Sequence, residues 1–293
     1  MAQHQPGILA ALPPLGRYVT FAGHPSGSHR RALAALARLA DGEGLVVGIG
    51  QSLARGLGHE IPGLGDFPSY ALSGLDVPST PAALWCWLRG VERGDLLRRS
   101  RLLCDRLAGA FLPSQTIDAF VHADGRDLTG YRDGTENPEG AAAVRAAIVA
   151  GAGAGLDGGS YVAVQQWQHD FAVFESLSAR RQDLAIGRRR RDDRELARAP
   201  RSAHVKRTAQ ESFAPEAFLL RRSMPWIDGS EGGLMFVAFG NATAAYAAQL
   251  RRMVGVEDGI QDALFSFTRP RTGAYFWCPP IRRGRLELSL FGL

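Results

Sequence analysis

At 293 residues, with 45% hydrophobic and 22% charged side chains, the chain lies far from the composition of a disordered protein and is long enough for two domains or one large two-layer unit. Its net charge of +5 rests on scattered arginine, Lys206 being the only lysine, so no concentrated basic face is expected and a nucleic-acid partner is disfavoured. No apolar run approaches the roughly 18 residues of a spanning helix, residues 1–16 lack the basic start and unbroken apolar core of a secretory signal, and three cysteines without C-x-x-C spacing argue against a disulfide scaffold or thiolate metal site; a cytoplasmic protein with no membrane partner is expected.

In chain order, residues 17–23 read as a strand, residues 29–44 as a helix ending in a glycine-rich turn, and residues 45–50 as a short buried strand. Pro81 opens a strongly apolar stretch to residue 111 that reads as helix, broken near Gly90. Residues 116–123 form a further strand. The second half repeats the theme: a strand at 160–168, a helix at 170–187, a strand apolar on both faces at 232–240, and a helix at 241–255 with Asn241 as N-cap. This recurrence hints at an internal duplication, and the pattern favours two α+β sandwiches with mixed or antiparallel sheets. The glycine- and alanine-rich residues 139–159 read as a linker, between a domain over 1–138 and one over 160–293.

The stretch "GRDLTGYRDGTENPEG", residues 125–140, is too rich in glycine, carboxylate and Pro138 to be helix or strand. It sits at the junction, where pockets often form. Its acidic spacing fails the alternate-residue rule of a calcium loop, leaving a generic divalent-metal site or an elaborate turn in which Asp133 and Asn137 satisfy backbone N–H groups. "VVGIGQSLARG" fails the dinucleotide fingerprint because Leu53 stands where Gly or Ala is required, and a tight strand-to-helix turn explains its glycines. No G-x-S-x-G elbow or H-E-x-x-H pair supports a hydrolase. The arginine run at 187–201 is interleaved with Asp192, Asp193 and Glu195, as in a solvated segment. His204, in "RSAHVKRT", is followed within twenty residues by "LLRRSMPW", which brings Arg221, Arg222 and Ser223 onto an expected strand.

Taken together, "DLTGYRDGTENPEG", "LAIGRRRRDDREL…SAHVKR", "LLRRSMPW" and "FSFTRPRTGAYFWCPP" resemble the dye-decolourising peroxidases, in particular their class B, or YfeX-like, branch. "GYRDG" carries that family's G-x-x-D-G motif. The resemblance implies a duplicated ferredoxin-like α+β fold with antiparallel sheets and haem b in the C-terminal half. His204 matches the axial iron ligand, and Asp133, Arg221 and Ser223 match the polar residues of the open face. Some relatives carry asparagine where Ser223 stands. Arg188, Lys206 and Arg207 are candidates to pair with the haem propionates. The implied activity is reduction of hydrogen peroxide with oxidation of phenolic, dye-like or other one-electron donors; a haem carrier or sensor without turnover, and a porphyrinogen-oxidising or iron-releasing enzyme, are the alternatives. Electrons are expected to travel by surface aromatics, with Tyr131, Trp167, Trp226 and Tyr275 as candidates. The family also implies a homo-oligomer, dimeric or higher; nothing after the last strand reads as an encapsulin-targeting tail.

Overall fold

The computed structural model describes residues 3–72 and 74–293. In chain order the strands are β1 (Leu15–Gly23), β2 (Leu45–Ile49), β3 (Tyr70–Leu72), β4 (Leu75–Val77), β5 (Leu84–Gly90), β6 (Phe111–Phe120), β7 (Ser160–His169), β8 (Leu220–Arg221), β9 (Met224–Asp228), β10 (Glu231–Gly240), β11 (Thr268–Pro270), β12 (Ala274–Cys278), β13 (Ile281–Arg282) and β14 (Arg285–Leu286). The helices are α1 (Pro6–Leu9), α2 (His29–Leu39), α3 (Gln51–Gly56), α4 (Arg93–Leu107), α5 (Gly140–Ala147), α6 (Phe171–Ser176), α7 (Ala179–Ile186), α8 (His204–Arg207) and α9 (Ala244–Met253).

Antiparallel pairing runs β12-β2-β5-β1-β6-β9-β10, and β7 bonds both β10 and β12, so the sheet closes on itself as a barrel. The N-terminal strands follow the order β2-β5-β1-β6 and the C-terminal strands β9-β10-β7-β12. Each half therefore sets its own strands in the sequence second, third, first, fourth. The halves meet at two narrow seams, each with a single paired position: Ile49 with Trp277 and Ala119 with Trp226. Residues 139–159, read as linker, contain α5.

Alternation along the strands sorts side chains between the barrel interior and the helix-covered outside. Trp85, Trp87, Val162, Val164, Val237, Phe239 and Phe276 fill the interior, all buried, and burying each large aliphatic or Phe side chain contributes roughly 1.5–3 kcal/mol. Outside, α2 lays Leu33 and Leu36 on the sheet, three-residue spacing giving one apolar stripe. The stretch after Pro81 departs from the sequence expectation. Residues 84–90 form the central strand β5, flanked by β1 and β2, and helix begins only at Arg93, where the Glu92 carboxylate accepts hydrogen bonds from the Gly94 and Asp95 N–H groups. A strand buried on both faces has no alternation, so "LWCWL" cannot be told from a buried helix by periodicity. The helix expected at 170–187 divides into α6 and α7, because Ser178 caps a second helix with its side chain. Asn241 is not a cap: its amide donates to the Arg145 carbonyl and α9 starts three residues later.

Barrel closure leaves no room at Gly233, where a Cβ would stand 2.0 Å from the Trp167 carbonyl oxygen. Gly233→Ala is expected to lower the urea midpoint by an amount equivalent to at least about 1–3 kcal/mol; an unchanged midpoint would show that the β7–β10 ladder can spread there. Near the end of α9, the buried Arg207 guanidinium donates to both Asp258 oxygens at 2.7 and 2.9 Å. The Arg207 hydrogen bonds hold the Asp258 carboxyl at about 2. Because that value lies below the unfolded one, the pair contributes fully above the ordinary carboxylate value and is lost as pH falls from about 4 towards 2. The thermal midpoints of wild type and Asp258→Ala should converge over that interval; a constant gap would deny the pair its acid sensitivity.

Candidate active site

The loop over residues 124–137 turns at Gly130 and Gly134, with φ of +86° and +73°. Both occupy the left-handed region, and a Cβ on Gly134 would stand 2.8 Å from Asn137 Nδ2, so glycine is required there by conformation and by space. This path presents Asp133 half-buried beside Arg221, whose Nε lies 3.9 Å from Asp133 Oδ1. That is a charge contact rather than a hydrogen bond. Arg221 Nε is buried and has no hydrogen-bond partner among the described residues.

Two side-chain amides fasten the loop to the segment that carries Arg221. Asn137 Nδ2 donates to the Arg221 carbonyl at 3.0 Å, and Asn137 Oδ1 accepts from the Arg221 N–H at 2.8 Å. Gln210 donates to the Glu136 carbonyl at 2.7 Å and accepts from the Leu219 N–H at 2.8 Å. Successive residues of an extended strand face opposite ways. Arg222 accordingly turns from the site to donate to the carbonyls of Ile8 and Leu9.

Asp133, Arg221 and His204 line one cavity, open to solvent, with about 830 Å³ of empty volume including its mouth. Its walls are largely apolar, with Ile186, Leu234, Phe236, Met253 and Leu264 among them. His204 begins α8, and its Nδ1 lies 2.8 Å from Oδ2 of the fully buried Asp262. The other Asp262 oxygen accepts from the Leu264 N–H at 2.9 Å. An ionised carboxylate only accepts, so beside it His204 Nδ1 is the donor, and in the neutral ring that tautomer has its lone pair on Nε2.

A second buried pair lines the same cavity. His169 Nε2 is 3.0 Å from Asp127 Oδ1, and His169 Nδ1 is 2.8 Å from Thr268 Oγ1. Burial alone would raise the Asp127 pKa, but the His169 charge and the hydrogen bonds from His169 and Thr129 hold it below the ordinary value. Both imidazole nitrogens of His169 are occupied, which leaves His204 as the histidine in this cavity with a free nitrogen.

The remaining sequence candidates are divided between this cavity and other places. Ser223 is buried, its Oγ accepts from the Val237 N–H at 3.4 Å, and it lines a smaller cavity that shares Asp127, Asp133, Arg221 and Leu234 with the first. Arg188 donates to Glu136 and to the Asp193 carbonyl, Lys206 pairs with Glu195, and Arg207 with Asp258; none of the three lines the cavity, whereas Arg132 does. The four candidate aromatics are all buried rather than on the surface, and two of them, Tyr131 and Trp167, line the cavity. Asp262, Gln210 and the Asp127–His169 pair escaped the sequence reading, which gives Asn137 a backbone N–H to satisfy but not the one it bonds, that of Arg221. Asp262 stands 58 residues from its partner, and only a conserved carboxylate in an alignment could have singled it out.

The sequence model of the C-terminal region of Dyp-type peroxidases matches residues 124–283, more than half of the chain and every residue of the site. A dye-decolorizing peroxidase of Mycobacterium tuberculosis is 34% identical over 206 residues, which take in 64% of this chain and 62% of that protein; the chain thus spans about three fifths of the length of the curated relatives it matches. Among solved structures, a Shewanella oneidensis protein described as a dyp-type peroxidase has a TM-score of 0.89 at 26% identity, covering 99% of this chain and 98% of that one. A Rhodococcus jostii RHA1 DypB variant solved in complex with heme has a TM-score of 0.85 at 25% identity, over 94% and 96% of the two chains. With the family's sequence model covering the whole cavity, and neighbours that share nearly the entire fold, this chain belongs to the Dyp-type peroxidase family.

Proposed function

We propose that the chain is a haem b peroxidase that reduces hydrogen peroxide and oxidises phenolic, dye-like or other one-electron donors. The observation that carries this reading is the arrangement of one cavity: an imidazole with a free Nε2, an unpaired guanidinium nitrogen, and a carboxylate beside it. The residues present fit an iron porphyrin. The largely apolar walls suit a flat macrocycle, His204 Nε2 suits the iron, and Arg132, which lines the cavity while one of its nitrogens pairs with Asp124, is the cation for a propionate. Bound haem would supply the iron that exchanges electrons with peroxide and donor.

The chain's own residues would do the rest. Asp262 fixes the His204 ring through Nδ1 and, by drawing on that proton, strengthens Nε2 as a ligand. The Asp133 carboxylate would take a proton from hydrogen peroxide and return it to the departing oxygen, so that water leaves. Arg221, charged at any working pH, keeps Asp133 ionised and offers its free N–H to negative charge developing as the O–O bond breaks. A carrier or sensor has no use for a carboxylate and guanidinium held apart, so turnover is the better reading.

The repeated strand order and the two narrow seams support a duplicated ferredoxin-like architecture, with domains over 1–138 and 160–293. The likeness to DypB supports placement in the class B branch. Three free cysteines suit a reducing cytoplasm, and the family resemblance supports a homo-oligomer. No helix among the described residues is long and apolar enough to cross a membrane.

Reconstituted with haem, His204→Ala is expected to lose the Soret band of the wild type. Arg221→Leu should keep that band while reaction with peroxide, followed by stopped-flow absorbance, slows by roughly 100-fold or more; a wild-type rate would remove Arg221 from the chemistry. Asn137→Ala should keep the thermal midpoint within a few degrees, yet weaken binding of fluoride to the haem protein by about tenfold, because the Arg221 backbone loses both anchors. Fluoride affinity equal to wild type would reduce Asn137 to a loop residue.

A further inference from the structure

Far from the site in sequence, β13 and β14 form a hairpin closed by Arg283 and Gly284. Both have positive φ, +53° and +72°, the conformation of a two-residue turn that ordinarily selects Asn-Gly or Asp-Gly. Arginine in that position is strained. The ladder adds a second cost, since Arg282 stands directly opposite Arg285 and like charges facing across strands repel. The hairpin is nonetheless held firmly: Ile281 exchanges backbone hydrogen bonds with Gln3, and the Glu287 N–H donates to the Pro280 carbonyl.

These arginines and Arg38 of α2 surround an open cleft with about 1190 Å³ of empty volume. Glu287 is its carboxylate, and it is committed to Arg282 at 3.3 Å. Arg38, Arg283 and Arg285 have no carboxylate within ion-pair distance among the described residues. Between the charges, Ala34 and the exposed Leu293 offer apolar surface over Ala37 and Leu286, which are themselves buried. Local rules broken without compensation inside a protein mark sites that serve something outside it.

We propose that this cleft docks an acidic peptide segment of a partner protein in which carboxylates alternate with aliphatic side chains. Arginines on the helix side and on the hairpin side meet carboxylates along an extended chain, and the alanine and leucine floor takes the residues between them. A bilayer surface is too flat to enter a cleft. Single-stranded nucleic acid is the poorer fit, because no aromatic side chain lines the cleft to stack on a base.

The test titrates the full-length protein, by isothermal calorimetry, with an end-blocked octapeptide of alternating glutamate and leucine and, separately, with a short oligothymidylate. Binding of the peptide is expected to weaken roughly tenfold or more in the triple variant Arg38→Glu, Arg283→Glu, Arg285→Glu, and to weaken with added salt. Arg283→Asn restores the residue the turn prefers. It should therefore unfold at no lower temperature than wild type while binding the peptide several-fold more weakly. Absence of peptide binding, equal binding by the triple variant or by Arg283→Asn, or tighter binding of the oligothymidylate through the same arginines would each overturn the proposal.

Discussion

Strand β7 is hydrogen bonded along both edges, to β10 on one side and to β12 and β11 on the other, and the walls of the site depend on that double pairing. Its even-numbered residues Val162 and Val164 enter the barrel interior, while Gln165, Trp167 and His169 face the cavity. In register, Leu234 and Phe236 of β10 lie beside Trp167 and Gln165 on the same face. A slip of one residue would send all of them into the barrel. Because the sheet is closed, it has no free edge there along which to slip, and the cavity wall inherits the rigidity of the core.

The opposite side of the cavity is built from short, irregular pieces, so its geometry must come from side-chain bonds. The loop carrying Asp133 has no ladder of its own; Asn137 and Gln210 supply one, each amide offering a donor and an acceptor to backbone as a neighbouring strand would. The four-residue helix α8 is too short to hold itself. Arg207 and Asp262 moor it at either end, one through Asp258 and one through His204 itself.

This division explains what could be read from the sequence. Strands β1, β2, β7 and β10 and helix α2 were legible; β2 and β7 are as buried as β5, but β2 is a short run bounded by glycines, whereas β5 sits in a long apolar stretch that leads on into α4 and so reads as helix. "GYRDG", His204 and Arg221 were legible as motif residues, and the structure brings them to one cavity. The partners that orient them were not. Asn137 lies 84 residues from Arg221 and Asp262 lies 58 from His204, and nothing local marks an asparagine or aspartate as bonded across such distances. Arg188 and Arg207, basic and near His204 in sequence, are paired with carboxylates and do not line the cavity.

Two arginine–aspartate pairs in this chain show how one chemistry is put to two uses. Arg207 and Asp258 are closed into a fork of hydrogen bonds at 2.7 and 2.9 Å, and Asp258 also accepts from Arg201 and from the Ile260 N–H, so the pair belongs to a structural network. Arg221 and Asp133 are near enough to stabilise each other's charge, yet at 3.9 Å they form no such fork. The separation is costly, since a buried guanidinium nitrogen is left without a partner, and a flexible pair would close the gap. The Asn137 amide prevents this by gripping the Arg221 backbone on both sides of its Cα, from the very loop that positions Asp133. Held in that way, the unsatisfied N–H would, under the proposed function, meet a small polar ligand entering between the two charges, as the reaction with peroxide requires on this face of the cavity.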